Sequence, residues 1–364
     1  MRPEVAIAKV EAAAFVIPTD LPESDGTIEW DATTLVLASV HGGGCCGQGY
    51  AYGDRGAVGL IKETLAPKIR GADAFAARAA WDAMVQAVRN IGRPGVASTA
   101  VSALDVALWD LKAKLLDLPL LRLLGAVRPA IPAYGSGGFT SYSDAQLAAQ
   151  LAGWTQAGLR DVKMKVGREP CRDRQRVRLA RQAIGPEAGL FVDANGAYDV
   201  KQALHLAEAF ATENVAWFEE PVSSDDLAGL HTLVERAPPC MEIAAGEYGH
   251  DAIYFRRMLA AGAVDVLQAD ATRCGGITGF LIAHALADAW NRPLSAHTAP
   301  TLHGHLGCAC PRVRNVEYFH DHARIEPLLF DGALVLRDGL LAPDQARPGL
   351  GLTLKQADAD RYAA

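Results

Sequence analysis

The sequence predicts an α/β protein: a parallel barrel of alternating strands and helices, joined to a smaller α+β unit. Three observations carry that reading. The chain has 364 residues, 50% of them hydrophobic, which is ample for a large core and more than one average domain holds. From Ile131 onward, short apolar strands alternate with amphipathic helices. Charged residues recur at the ends of those strands at intervals of 20 to 30 residues, the length of about one strand–helix unit.

Taken in order, residues 5–52 read as strands, VAIAKVEAAAFVI, TTLVLASV and GQGYAY, separated by Gly- and Asp-rich turns. Helical spacing follows over 57–65, 74–91 and 99–116, the last with Val101, Leu104, Leu108, Leu111 and Leu115 on one face. Barrel strands are expected at 131–135, 161–166, 189–194, 216–220, 242–247, 264–269, 293–297 and 315–319. After Glu326 the pattern returns to turn-rich strands. The expected organisation is a capping unit over 1–130, with 326–364 packing back on it, and a barrel over 131–325.

Bulk properties narrow the partners. A net charge of −7 leaves no basic face for nucleic acid or an anionic membrane, so a small molecule is expected. No apolar run approaches the roughly 18 residues of a membrane span, and the N-terminal MRPEVAIAKVEAAAFVIPTD is acidic where a signal peptide should be apolar. A cytoplasmic protein is expected. The seven cysteines, including Cys45, Cys46, Cys308 and Cys310, form no paired zinc pattern and read as reduced structural thiols.

The chemistry sits at the strand ends. Asp193, Glu219 and Glu247 bring three carboxylates to one mouth, where they repel each other unless a divalent cation lies among them. All-oxygen ligation favours Mg²⁺, then Mn²⁺. Glu220 follows Glu219, and strand alternation turns it away from the mouth. Lys163 and Lys165 leave one face of their strand. Each charge should lower the other's pKa, which makes Lys165 the candidate base and Lys163 its partner and a contact for the substrate carboxylate. Asp270 and His297 end adjacent strands, so the carboxylate can fix the imidazole tautomer and support a second base. Glu317, if protonated, would donate to the substrate carboxylate. His303 and His305 fall on a helix and carry no assigned chemistry.

The motifs VKMKV, VDANGAY, WFEEP, AAGEYG, LQADATRCGGITG, SAHTAP and VEYF resemble, in order and spacing, the mandelate racemase subgroup of the enolase superfamily. The resemblance covers essentially the whole barrel. It implies a (β/α)7β barrel with an α+β cap built from both chain ends, and Mg²⁺ on Asp193, Glu219 and Glu247. It also implies Lys165 and the His297–Asp270 pair as bases on opposite faces of a carbon next to a carboxylate, acting through a metal-stabilised enediolate. A homo-oligomer, a dimer or larger even assembly, is implied as well.

Two capping segments, 18–27 and 41–54, should close over the distal end of the substrate. Their Thr19, Asp20, Glu23, Ser24, Asp25, Thr27, Gln48 and Tyr50 suit a polyhydroxylated acid. Dehydration of a sugar acid (aldonate or aldarate) to a 2-keto-3-deoxy acid is therefore the first expectation, and racemisation, epimerisation or cycloisomerisation of a hydroxy-carboxylate the second. Two readings from other classes stand beside these. A metal-free glycoside hydrolase could use Glu219 and Glu247 as acid and nucleophile, and a catalytically inactive barrel could serve in binding.

Overall fold

A computed structural model describes residues 4–364; the first three residues of the expected cap lie outside it. Strands β1 (Lys9–Ser24), β2 (Glu29–Gly42) and β3 (Cys45–Tyr52) form an antiparallel meander. Both of its faces are covered. Val36, Ala38 and Val40 face the capping helices, while Leu35 and Leu37 face the core shared with the barrel. That is why TTLVLASV is a continuous apolar run and not a clean alternation.

Helix α1 (Ala77–Ala87) is shorter than its expected span, and helix α2 (Val96–Leu115) starts three residues earlier than expected, after Gly95. The expected helix at 57–65 runs from Gly56 to Ile69 with a π-turn at Ile61–Leu65. α2 is buried nearly all round because β3 lies directly on it. A Cβ on Gly49 would come within 2.2 Å of the Ala107 nitrogen, so a glycine is what lets the helix dock there.

Eight parallel strands close the barrel: β4 (Ile131–Gly137), β5 (Asp161–Lys165), β6 (Gly189–Asp193), β7 (Val215–Glu219), β8 (Glu242–Ala245), β9 (Val266–Ala269), β10 (Leu294–Ala296) and β11 (Val313–Phe319). Each pairs with the next, and β11 pairs with β4 to complete the ring. All eight lie where the alternation pattern puts them, with ends shifted by a few residues at most. Strand periodicity then sorts the interior into layers. Tyr134, Phe191, Trp217, Ala244 and Val266 plug the barrel as a separate apolar cluster. Two residues further along β6 and β7 the same inward face carries Asp193 and Glu219, so an apolar floor supports a charged layer at the C-terminal mouth.

The tail after helix α3 (His320–Leu329) returns to the cap. β12 (Phe330–Asp331) pairs with β14 (Thr353–Leu354), and β13 (Leu340–Leu341) pairs with the start of β4. Leu120 donates its N–H to the Gly349 carbonyl at 2.7 Å, and Ala364 donates to Ala14 at 3.1 Å. Among the described residues no helix is long and apolar enough to cross a membrane. All seven cysteines are free thiols, and burial pushes Cys308 and Cys310 up to about 11 and about 12.

Candidate active site

Strand register places the acids. Lys165 stands beside Asp193 in the β5–β6 pairing, and Asp193 beside Glu219 in the β6–β7 pairing. Glu247 follows β8 by two residues. Ligand atoms of Asp193, Glu219 and Glu247 lie within 4.8 Å of one another, all three buried. Trp217 Nε1 donates to Glu219 Oε2 at 3.0 Å and holds that carboxylate from the barrel floor. Glu247 Oε2 faces the His297 ring at 3.2 Å. Burial first, and then the charge of Asp193, push the Glu219 pKa up to about 8.

The lysines are locked among these acids. Lys163 Nζ lies 2.5 Å from Glu219, 2.8 Å from Glu317 and 3.4 Å from Asp193. Lys165 Nζ lies 2.5 Å from Asp193 and donates to Asn195 Oδ1 at 3.1 Å. Lys163 does pull the Lys165 pKa down as expected, but the expected net depression is overturned by the acids. Burial does favour the neutral amines, but Glu219 and Glu317 hold Lys163 well above the usual range, and Asp193 raises Lys165.

His297 Nδ1 meets Asp270 Oδ2 at 2.9 Å, as expected, and its Nε2 lies 3.2 Å from Glu247 and 3.6 Å from Glu317. Burial opposes its protonation, yet Glu247, Glu317 and Asp270 push it up to about 10. The triad therefore lies between two cationic groups, with Lys165 on Asp193 and His297 on Glu247.

Glu317 corrects a second expectation. It accepts from Ser136 Oγ at 2.5 Å and from the Thr298 N–H at 3.2 Å. Burial works against its charge, but Lys163 and His297 pull its pKa down to about 2. It is an acceptor here and not a protonated donor.

Glu220 follows no strand rule. Its φ of 38° breaks the chain out of extended geometry, so alternation stops at Glu219. Its side chain is buried with Oε1 unpartnered, and burial together with Glu247, Asp193 and Glu219 raises its pKa well above the carboxylate range. Asn195 and Thr298 also have positive φ, 48° and 53°. Backbone strain thus gathers within two residues after Asp193, Glu219 and His297, as it often does at functional sites. Glu220 and Asn195 line a cavity of about 580 Å³ with Tyr248, His250 and Tyr254.

Sequence reasoning missed Arg273. Its Nη1 donates to Glu247 at 3.0 Å, its Nε lies 3.7 Å from Asp270, and its guanidinium covers the Tyr248 ring at 5.1 Å. Also missed was the polar stripe of α2 that holds this segment. Ser98 Oγ donates to the Arg273 carbonyl at 2.5 Å. Ser102 Oγ accepts from Gly275 and Gly276, and Asp105 accepts from the Thr278 N–H and hydroxyl. The stripe spans the i, i+4 and i+7 positions of one helix face. It was readable as a stripe, but nothing local identified what it grips.

Above the mouth sits the β1–β2 hairpin. Segment 18–27 is mostly strand, not loop, and its tip turns on Asp25, which accepts from Thr27 and Ile28. A Cβ on Gly26 would meet the carbonyls of Ala194 and Val166 at 2.5 and 2.7 Å, so the tip rests on the ends of β6 and β5. Thr140, just after β4, donates to Ser24 and Asp25. Asp20 contacts His320, while Glu23 is buried against Trp30.

Residues 146–359 match the family model described as enolase C-terminal domain-like, and residues 9–125 match the mandelate racemase / muconate lactonizing enzyme N-terminal domain. The chain belongs to this enzyme family. A mandelate racemase/muconate lactonizing enzyme-like protein from Rubrobacter xylanophilus superposes with a TM-score of 0.97 at 52% identity, covering 99% of this chain and 100% of that one. The L-talarate/galactarate dehydratase of Salmonella typhimurium is 32% identical over 95% of this chain and 88% of its own length. The L-talarate dehydratase of Polaromonas sp. JS666, solved with Mg and L-glucarate, superposes with a TM-score of 0.90 at 32% identity, covering 99% of this chain and 98% of that one.

Proposed function

We propose that the protein is a Mg²⁺-dependent acid-sugar dehydratase that removes the proton next to the carboxylate and expels the neighbouring hydroxyl, giving a 2-keto-3-deoxy acid. One observation carries the reading: a buried triad of carboxylates flanked by Lys165 on one side and the Asp270–His297 pair on the other. Its relatives include a talarate/galactarate dehydratase, and a neighbouring dehydratase holds Mg with a sugar diacid. An aldonate or aldarate is the substrate class. The proposed units are the cap, 1–130 with 326–364, and the barrel, 131–325. The bonds from Gly349 and Ala364 back to the cap support that division.

Asp193, Glu219 and Glu247 would hold the cation, and the burial of all three carboxylates together with the raised pKa of Glu219 fits a site built for positive charge. Bound there, Mg²⁺ supplies charge at the substrate carboxylate that makes the neighbouring C–H more acidic.

The chain's own groups do the rest. Once a cation offsets Asp193, the pull that keeps Lys165 protonated weakens, and the amine can take the proton. His297, oriented by Asp270 and facing Glu317, can give a proton to the departing hydroxyl, which leaves as water; the resulting enol then tautomerises to the keto acid. Lys163 stabilises the substrate carboxylate, and Glu317 keeps Lys163 and His297 charged and in place.

The placement of two proton carriers on either side of the triad favours a second reading, racemisation or epimerisation at the same carbon. Incubating the purified protein with Mg²⁺ and a panel of mono- and diacid sugars tests the choice. A 2-keto-3-deoxy product supports dehydration. Deuterium exchange in ²H₂O with inversion and no keto product supports the second reading, and no reaction with any sugar acid overturns both.

A further inference from the structure

Beyond the barrel mouth, one more cluster pairs carboxylates with a histidine. Asp20 and Glu23 come from the outer half of β1, and His320 opens α3 directly after β11. Three residues apart, Asp20 and Glu23 would leave opposite faces of a regular strand. The β1–β2 register shifts between Pro18 and Glu23, which frees them from that alternation. His320 Nε2 lies 3.1 and 3.0 Å from the two oxygens of Asp20, and one donor atom from each residue lies within 4.8 Å of the others.

Glu23 shows what is missing. It is fully buried, its Oε2 accepts from Trp30 Nε1 at 2.8 Å, and its Oε1 has no partner. The nearby charges offer little relief. Arg324 directs its Nη2 to Asp321 and to the Pro18 carbonyl, and Asp321 also takes the Thr33 hydroxyl. Burial, and then Asp321, push the Glu23 pKa up to about 8. A buried carboxylate oxygen without a partner calls for a proton or a cation.

We propose that Asp20, Glu23 and His320 form a second divalent-cation site, one that takes a nitrogen-accepting ion such as Zn²⁺ and fastens the hairpin over the mouth to the end of β11. Two carboxylates and an imidazole suit zinc, with ligand bonds of about 2.0–2.2 Å. Magnesium prefers oxygen alone, so the two sites of the molecule differ in the ion they select. Trp30 orients the Glu23 carboxylate in the way that outer-sphere partners orient metal ligands. Its ligands lie outside the triad, so its metal can be tested without turnover.

Equilibrium dialysis of the full chain against Zn²⁺ in a large excess of Mg²⁺, with metal content read by mass spectrometry, tests it. The excess Mg²⁺ fills the triad. The wild type should retain one Zn²⁺ per chain, and Glu219→Gln should retain it too. Glu23→Gln and His320→Asn should each bind it at least about tenfold more weakly, the low end of the loss even an outer-sphere partner causes. A separate Mg²⁺ titration of Glu23→Gln and His320→Asn shows that the triad, and therefore the fold, of these two variants is intact. The proposal is overturned if the wild type retains no Zn²⁺, if Zn²⁺ is lost only in Glu219→Gln, or if folded Glu23→Gln and His320→Asn retain it like the wild type.

Discussion

The barrel mouth and the hairpin above it both gather carboxylates around a histidine, but they are built by different means. In the mouth, Asp193, Glu219 and Lys165 are neighbours because parallel strands in fixed register put them there, and Lys163, Arg273 and His297 offset the acids at close range. In the hairpin, Asp20 and Glu23 meet a histidine about 300 positions away across an irregular strand, and Glu23 keeps one oxygen without a hydrogen-bond partner. The difference teaches that strand register can bring a charged constellation together, whereas the hairpin above it is assembled by long-range contacts.

The predictions test that contrast, starting with its strongest element. Glu219→Gln should abolish Mg²⁺ binding and turnover together, a loss beyond the roughly 10²–10⁴-fold ascribed to one positioned acid–base group. Chelation should do the same to the wild type, with recovery on Mg²⁺ or Mn²⁺ but not on Zn²⁺ alone. Calorimetric titration and turnover measure both, and an active, metal-free Glu219→Gln protein would break the mouth half of the comparison.

Asp270→Asn should cost about 10- to 100-fold in kcat, the usual penalty for losing a group that orients a functional histidine, with Mg²⁺ affinity unchanged. A fall in Mg²⁺ affinity alone would mean that the pair supports the metal site and not proton transfer. In the hairpin, Asp20→Ala should change which sugar acid is preferred and leave the triad's Mg²⁺ affinity as it was. An unchanged substrate profile would reduce the hairpin to a passive cover.

The smallest effect concerns the α2 stripe. Burial pushes Asp105 up from 3.8 to about 7, against the pull of its bonds to Thr278. The folded protein then keeps a proton that the unfolded chain releases, so this residue's contribution to stability falls as pH rises from about 4 to about 7. Asp105→Asn should flatten that part of the Tm–pH curve. An identical slope in wild type and variant would show that Asp105 does not titrate in this window.

Much of the fold and site was legible because it follows period-2 and strand–helix repeats. The spacing of Lys163, Asp193, Glu219, Glu247, Asp270, His297 and Glu317 located the barrel and its mouth together. Protonation was not legible in the same way. The states of Lys165 and Glu317 depend on which opposite charges arrive from other strands, and the spacing of two lysines on one strand carries no sign of them. Alternation failed at Glu220 because a positive φ ends the strand there. Arg273 and the Ser98–Ser102–Asp105 stripe escaped notice because their meaning lies in contacts between α2 and the segment after β9, more than 170 positions away in sequence.

The central claim is that Lys165 takes the proton next to the carboxylate while His297 protonates the neighbouring hydroxyl, from two sides of the metal triad. The most direct test is to follow α-proton exchange in ²H₂O and keto-acid formation side by side for wild type, Lys165→Ala and His297→Asn with the preferred sugar acid and Mg²⁺. Lys165→Ala should lose both exchange and product. His297→Asn should lose product by about 10²-fold or more while Lys165 continues to exchange the proton. Near-normal exchange and turnover in both variants would contradict the account.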